Sequence, residues 1–159
     1  MRHTLAVLVN NHAGVMSRVA GLFSRRGFNI ESIAVGETED HSISRMTIVV
    51  TADDEQLEQV TKQLYKLIDV IKVSDITNDA AVERELALIK VPATSGNRSE
   101  ILQVVDIFRA KIVDVSEKAV IIEVTGGVEK IEAILSLLRS YGIREVVRTG
   151  KVAMVRSGK

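Results

Sequence analysis

The chain contains no cysteine and no tryptophan, and only one proline. Without thiols, disulfides, thiolate nucleophiles and cysteine-based metal sites are excluded. Aromatic residues make up only 3% of the sequence, so any core must be built from Val, Ile, Leu and Ala. A surplus of either charge is also missing: Lys and Arg number 21, Asp and Glu number 21, and the formal net charge is +0. A protein whose main partner is nucleic acid needs a basic surplus to neutralise phosphates, so no nucleic-acid partner is expected. No apolar run approaches the roughly 20 residues needed to cross a bilayer, and no membrane role is expected. The short apolar run from Leu5 to Val9 is too brief for the core of a signal peptide and reads as a strand. A cytoplasmic location follows by default, and the sequon Asn97-Arg98-Ser99 then carries no meaning.

What is present describes a soluble globular protein: 46% apolar and 26% charged residues. A length of 159 residues admits one ordinary domain or two small ones. Two small domains with so few large anchors would be marginal alone, so pairing is expected on stability grounds.

The hydrophobic pattern shows the same module twice. Thr4 to Asn10 is a short strand-like run ending in turn formers, Asn10, Asn11 and Gly14. Val15, Val19, Leu22 and Phe23 then recur at helical spacing, and Gly27 stops that helix. Phe28 to Val35 and Ser44 to Thr51 read as strands joined by the polar hairpin loop GETEDHS. Asp53 with Gln56 makes a capping-box pattern at the start of a second helix, whose apolar face is Leu57, Val60, Leu64 and Leu67. Val70 to Ile76 is the last strand of the module. The order is strand, helix, strand, strand, helix, strand, the split βαβ or ferredoxin-like arrangement, with both helices on one face of an antiparallel sheet.

The polar segment Thr77 to Arg84 is the candidate boundary, giving domains 1–78 and 79–159. Beyond it the pattern recurs: strand from Glu85 to Val91, helix from Asn97 onward, and paired strands Lys111 to Val115 and Ala119 to Thr125. A helix follows Gly126-Gly127, and Arg144 to Val155 closes the module with a turn at Thr149-Gly150. The expected fold class is therefore α+β, with tandem ferredoxin-like βαββαβ modules that repeat in architecture rather than in residue identity.

Motifs for chemistry are absent. There is neither a G-x-x-x-x-G-K-[ST] loop nor a G-x-G-x-x-G. His3, His12 and His41 have no metal-ligand spacing, and no metal site is expected. His12, in the first strand-to-helix loop, reads either as a ligand contact or as an ordinary exposed histidine. Asp53 and Asp54 resemble a carboxylate pair, but their place at a helix start makes capping the simpler role. No nucleophile stands with a recognisable base, and no catalytic residue is assigned.

One segment concentrates features that suit a ligand. Asn10 to Ser17 joins the first strand to the first helix, whose N-terminus presents free N–H groups and a positive dipole end. Such an end suits a carboxylate. Gly14 lets a ligand approach the backbone. Asn11 offers an amide that can accept from an ammonium and donate to a carboxylate. Asn29 opens the second strand, expected near the same sheet end, and Val15, Met16 and Ile30 could line an apolar pocket. A free amino acid has that set of groups. An Asn-rich turn before a helix also arises simply because Asn caps and turns, so both readings stand at this point.

The stretch NHAGVMSRVAGLFSRRGFNIESI, Asn11 to Ile33, closely resembles the opening of the small, regulatory subunit of acetohydroxyacid synthase (acetolactate synthase). Ser44-Arg45-Met46-Thr47-Ile48, the segment Gln63 to Val70 and Val82-Glu83-Arg84-Glu85-Leu86 are similar to that family as well, and the likeness covers almost the whole chain. The resemblance implies that the first module is an ACT domain, a ferredoxin-like fold that binds amino acids. Two such domains would pair side by side in a homodimer and hold a feedback inhibitor, usually valine, at their interface. Carried over by position, Asn11, Gly14, Val15 and Met16 would form the loop and helix start, with Asn29 and Ile30 facing it from the other protomer. The second module would help contact the catalytic large subunit, which this chain would activate in branched-chain amino acid biosynthesis. Thiamine diphosphate, magnesium and FAD would belong to that partner, with no cofactor on this chain. Ala13 stands where many members have proline, and Met16 where leucine is frequent, which makes the loop less preorganised and the pocket wall more adaptable. Three other readings compete: a stand-alone ACT-type sensor, a small enzyme on a ferredoxin-like scaffold, and a purely structural dimer.

Overall fold

In β1 (Arg2–Asn10), Leu5, Val7 and Val9 alternate onto one face and are buried there, while Thr4 and Ala6 occupy the other. The computed structural model describes residues 1–157. After β1 the chain forms α1 (Val15–Arg25), β2 (Ile30–Glu37), β3 (Ile43–Thr51), α2 (Asp54–Tyr65) and β4 (Val70–Asp75). The four strands make one antiparallel sheet in the order β2-β3-β1-β4. Val15, Val19, Leu22 and Phe23 of α1 and Leu57, Val60 and Leu64 of α2 pack on the Leu5, Val7, Met46 and Ile48 face, giving one continuous core.

The helix ends obey their local chemistry. At α2 the Asp53 carboxylate accepts from the Gln56 amide at 2.7 Å, and the Gln56 side chain accepts from the Asp53 amide at 3.1 Å. At the end of α1, Gly27 takes φ 78. The Gly27 and Phe28 amides then reach back to the Ser24 and Phe23 carbonyls, at 3.1 and 3.0 Å. That is a Schellman motif, and its apolar clasp is the edge-to-face pair of Phe23 and Phe28, with ring centroids 6.2 Å apart.

The second half continues with β5 (Ala81–Pro92), α3 (Arg98–Ile107), β6 (Lys111–Val115), β7 (Ala119–Gly126), α4 (Val128–Leu138), a single 3-10 turn at Arg139–Tyr141, β8 (Glu145–Arg148) and β9 (Val152–Val155). Its sheet order is β6-β7-β5-β8, the same topology as the first, with β9 also pairing with β5. Ala87, Ile89 and Val91 of β5 meet Ile101 and Val105 of α3 and Ile131, Ile134 and Leu138 of α4 in a separate core. The tandem ferredoxin-like α+β reading is the architecture observed.

By internal contacts the chain divides into Met1–Val82 together with the segment from Lys151 onward, and Glu83–Gly150. The sequence boundary at 78/79 thus meets a division at 82/83, and the last segment returns to the first unit. There Ala153 packs with Ala6 and Ile76, on the sheet face away from the helices. The buried Lys151 ammonium donates to Thr4 Oγ1 at 2.8 Å, and Arg45 donates to the Ala153 carbonyl at 2.7 Å. The expected linker is correspondingly short. Its second half forms strand because β9 supplies a partner, with the Arg156 amide donating to the Ala80 carbonyl at 2.8 Å.

Candidate functional site

The β1–α1 loop is held from two sides. On one side lies the β2–β3 hairpin: the Asn11 amide donates to the Ser42 carbonyl at 2.7 Å, and its side chain donates to the His41 carbonyl at 3.0 Å and to Glu37 at 3.3 Å. His41 in turn pairs with Glu37 at 2.6 Å. On the other side lies the turn between α2 and β4, represented by Asp69. The Asp69 carbonyl accepts from the Asn10 amide at 2.8 Å, and its carboxylate meets Asn10 Nδ2 at 3.5 Å, His12 at 3.2 Å and Arg18 at 2.6 Å. Desolvation acts to raise the Asp69 carboxyl, but hydrogen bonds from Asn10 and Arg18 and the charges of His12 and Arg18 outweigh it and hold it below its ordinary value.

Between these supports the helix start is bare. Gly14 is the residue before α1 and sits at φ 83, in the left-handed region that favours glycine. No side chain caps α1, and no acid occupies its first turn. A Cβ at Gly14 would find only Arg18 Nη1 within 4 Å, at 3.9 Å. The turn is therefore open, and its uncapped N–H groups with the dipole behind them form an anion-accepting position.

The expected site residues separate on this geometry. Asn11, Gly14 and Met16 are exposed around the loop. Val15 is buried in the core, so it contributes its backbone to the helix start rather than a pocket wall. Asn29 is exposed and Ile30 half-buried, but they do not lie at the same sheet end as the loop. Ile30 is in register with Val50, which pairs with His3 at the start of β1, whereas the loop follows Asn10. The two ends are about 23 Å apart at the usual rise per strand residue. The expectation that β2 starts beside the loop is corrected: β2 runs parallel to β1, so its start is remote and its end, Glu37, is near. His12 Nδ1 lies 3.2 Å from the Asp69 carboxylate. Among the described residues no group of three or more His, Asp or Glu could hold a metal ion, and no helix is long and apolar enough to cross a membrane.

Asp69 and Arg18 did not emerge from sequence reasoning. The available signal was topological. In a βαββαβ module the start of the last strand abuts the end of the first, so the residue preceding β4 must sit beside the first loop.

Comparison with known proteins agrees over the whole chain. Residues 5–72 match the family model of the AHAS small subunit-like ACT domain, and residues 84–157 match that of the small subunit of acetolactate synthase. The probable acetolactate synthase small subunit of Archaeoglobus fulgidus is 61% identical over 159 residues, covering 100% of this chain and 99% of that one. The acetolactate synthase small subunit of Mycobacterium leprae is 56% identical over 154 residues, covering 97% of this chain and 91% of that one. The crystal structure of the acetolactate synthase small subunit from Thermotoga maritima superposes with a TM-score of 0.91 at 48% identity, covering 100% of this chain and 99% of that one. The first module is an ACT domain, and the chain belongs to the acetolactate synthase small-subunit family.

Proposed function

We propose that this chain binds a branched-chain amino acid, valine foremost, at the β1–α1 loop of its ACT domain, and that this binding sets the activity of an acetolactate synthase catalytic subunit. The carrying observation is the uncapped, glycine-led start of α1, which offers backbone N–H groups to a carboxylate. The chain activates the catalytic subunit when the site is empty and confers feedback inhibition when it is filled. Thiamine diphosphate, magnesium and FAD belong to the catalytic subunit, and no reaction is catalysed by this chain itself. The physical mechanism is linkage: an effector that prefers one arrangement of the assembly shifts its population, with a coupling of about 1–3 kcal/mol. Work in the cytoplasm accompanies this role.

The separation of Asn29 from the loop supports a homodimer. β2 is an edge strand of its sheet. If two copies pair antiparallel along β2, the start of one β2 falls beside the end of the other. That end is Glu37, which hydrogen-bonds Asn11. Asn29 of the partner subunit then faces the Asn11 and Gly14 loop, and Ile30 of the partner subunit supplies an apolar wall beside Met16.

Isothermal titration of the full chain with valine, leucine and isoleucine tests the reading. Saturable binding of one of them, lost in Asn29→Ala, is expected. A folded dimer that binds none of the three overturns it.

A further inference from the structure

Helical side chains lean toward the N-terminus over the residue four before them, which brings Arg18 over Gly14. From the second turn of α1 its guanidinium reaches the helix start, with Nη1 3.9 Å from where a Cβ at Gly14 would stand. Nη2 is fixed by the Asp69 carboxylate at 2.6 Å. A guanidinium has more donors than one carboxylate can take, so a second carboxylate can be received on the Nη1 side. The Asp69 carboxylate that aims Arg18 also meets Asn10 and His12, and its own backbone carbonyl holds the Asn10 amide. One residue of the α2–β4 turn therefore sets both the loop and the cation beside it. Asp69 is largely covered, with a side-chain exposure of 13%, whereas Arg18 is 52% exposed and open to a ligand.

We propose that Arg18 is a second contact for the carboxylate of the amino-acid effector, and that Asp69 is the positioning residue that aims it. The inference rests on the effector site lying at the Gly14 turn. It adds that carboxylate recognition there uses a side-chain cation as well as backbone N–H groups, and that the α2–β4 turn is part of the site. The same guanidinium links that turn to the ligand, so occupancy of the loop is felt at β4.

The test compares valine with valinamide, which has the same side chain and ammonium but no carboxylate, by titration into the full chain. The unsubstituted protein should prefer valine. In Arg18→Ala the preference should fall by about tenfold, because a charge-assisted hydrogen bond to the carboxylate is lost. Arg18→Lys should retain part of it. Asp69→Asn should lower the preference in the same direction, and adding Asp69→Asn to Arg18→Ala should cause no further loss. A role confined to structure would lower thermal stability and weaken both ligands equally, leaving their ratio where it was. An unchanged ratio in folded Arg18→Ala and Arg18→Lys overturns the proposal while leaving the effector site intact. Absence of valine binding by the unsubstituted chain overturns the site reading itself.

Discussion

Each module joins its central strand to its first helix by a loop, and the two loops use different residues to do so. After β5, Asn97 Oδ1 accepts from the Thr94 amide at 2.7 Å and from its hydroxyl at 3.3 Å. Arg98 then turns its guanidinium onto the Ser116 carbonyl at 3.0 Å and the Ala93 carbonyl at 3.5 Å. That loop bonds largely within itself: Arg98 Nη2 is spent on backbone oxygens, while its buried Nε has no partner among the described residues. Neither helix has a side-chain cap, but α3 carries Glu100 in its first turn, whereas after β1 glycine stands where Asn97 stands in the other module, no acid occupies the first turn of α1, and the cation faces the turn. The same topology thus produces two helix starts, and the first, led by glycine and without an acid in its first turn, is the better suited to an outside anion. Repetition of a fold does not repeat a site, because the site depends on the residues and charges that stand at the helix start.

Gly14→Asp should have the largest effect. It imposes a side chain on a left-handed φ and puts a negative charge where the proposed effector carboxylate would sit. Valine binding should vanish by titration, while activation of the catalytic subunit should persist in a synthase assay. Normal valine affinity in this variant would mean that the open loop is not the site.

Arg148→Met probes the second module. Arg148 pairs with the buried carboxylate of Glu85 and, at 2.7 Å, with Glu132. Removing the guanidinium leaves Glu85 buried without its cation, at a cost of about 3–5 kcal/mol in denaturant unfolding. Valine affinity should stay as it was, since the second module has no part in the effector loop. A change in affinity with little loss of stability would break the contrast between the modules.

A smaller effect is expected from Asn97→Ala. Loss of its loop hydrogen bonds should reduce stability by about 1 kcal/mol, visible as a lower melting temperature, with no gain or loss of valine binding.

The smallest effect concerns pH. The Asp69 carboxyl is held below its ordinary value of 3.8. A depressed folded value means that the carboxylate's contribution is full above the unfolded value and is lost only as pH falls through the folded one. Valine affinity should therefore show no loss from Asp69 between neutrality and about pH 4, with decline below that. Asp69→Asn should remove that acid limb, and a limb that survives the substitution would assign it to another group.

Much of the fold was legible because its signals are local. Gly27 ended α1 in a Schellman motif, and Asp53 with Gln56 started α2, as their residue types required. The spacing of Val15, Val19, Leu22 and Phe23 put the correct face of α1 on the sheet. The open helix start of the candidate site was legible for the same reason: an exposed Gly14 before a helix needs only its own neighbours. Asn29 was misplaced because strand direction is a property of sheet pairing, which no stretch of sequence carries alone. Asp69 was missed because its partners lie more than fifty residues away in the chain, at Asn10, His12 and Arg18.

The sequence by itself determined the repeated βαββαβ order, the absence of thiol chemistry, and the glycine-led helix start, since periodicity, composition and local turn chemistry act over a few residues. Tertiary structure alone decided which residues share that helix start. It brought Asp69 and Arg18 to the loop and sent Asn29 to the far end of the sheet. It also returned the segment after Lys151 to the first module, through the buried Lys151 and Ala153 contacts. Those outcomes depend on strand pairing and side-chain packing across long sequence separations, where the free energy lies in contacts that neither segment makes before the chain has folded.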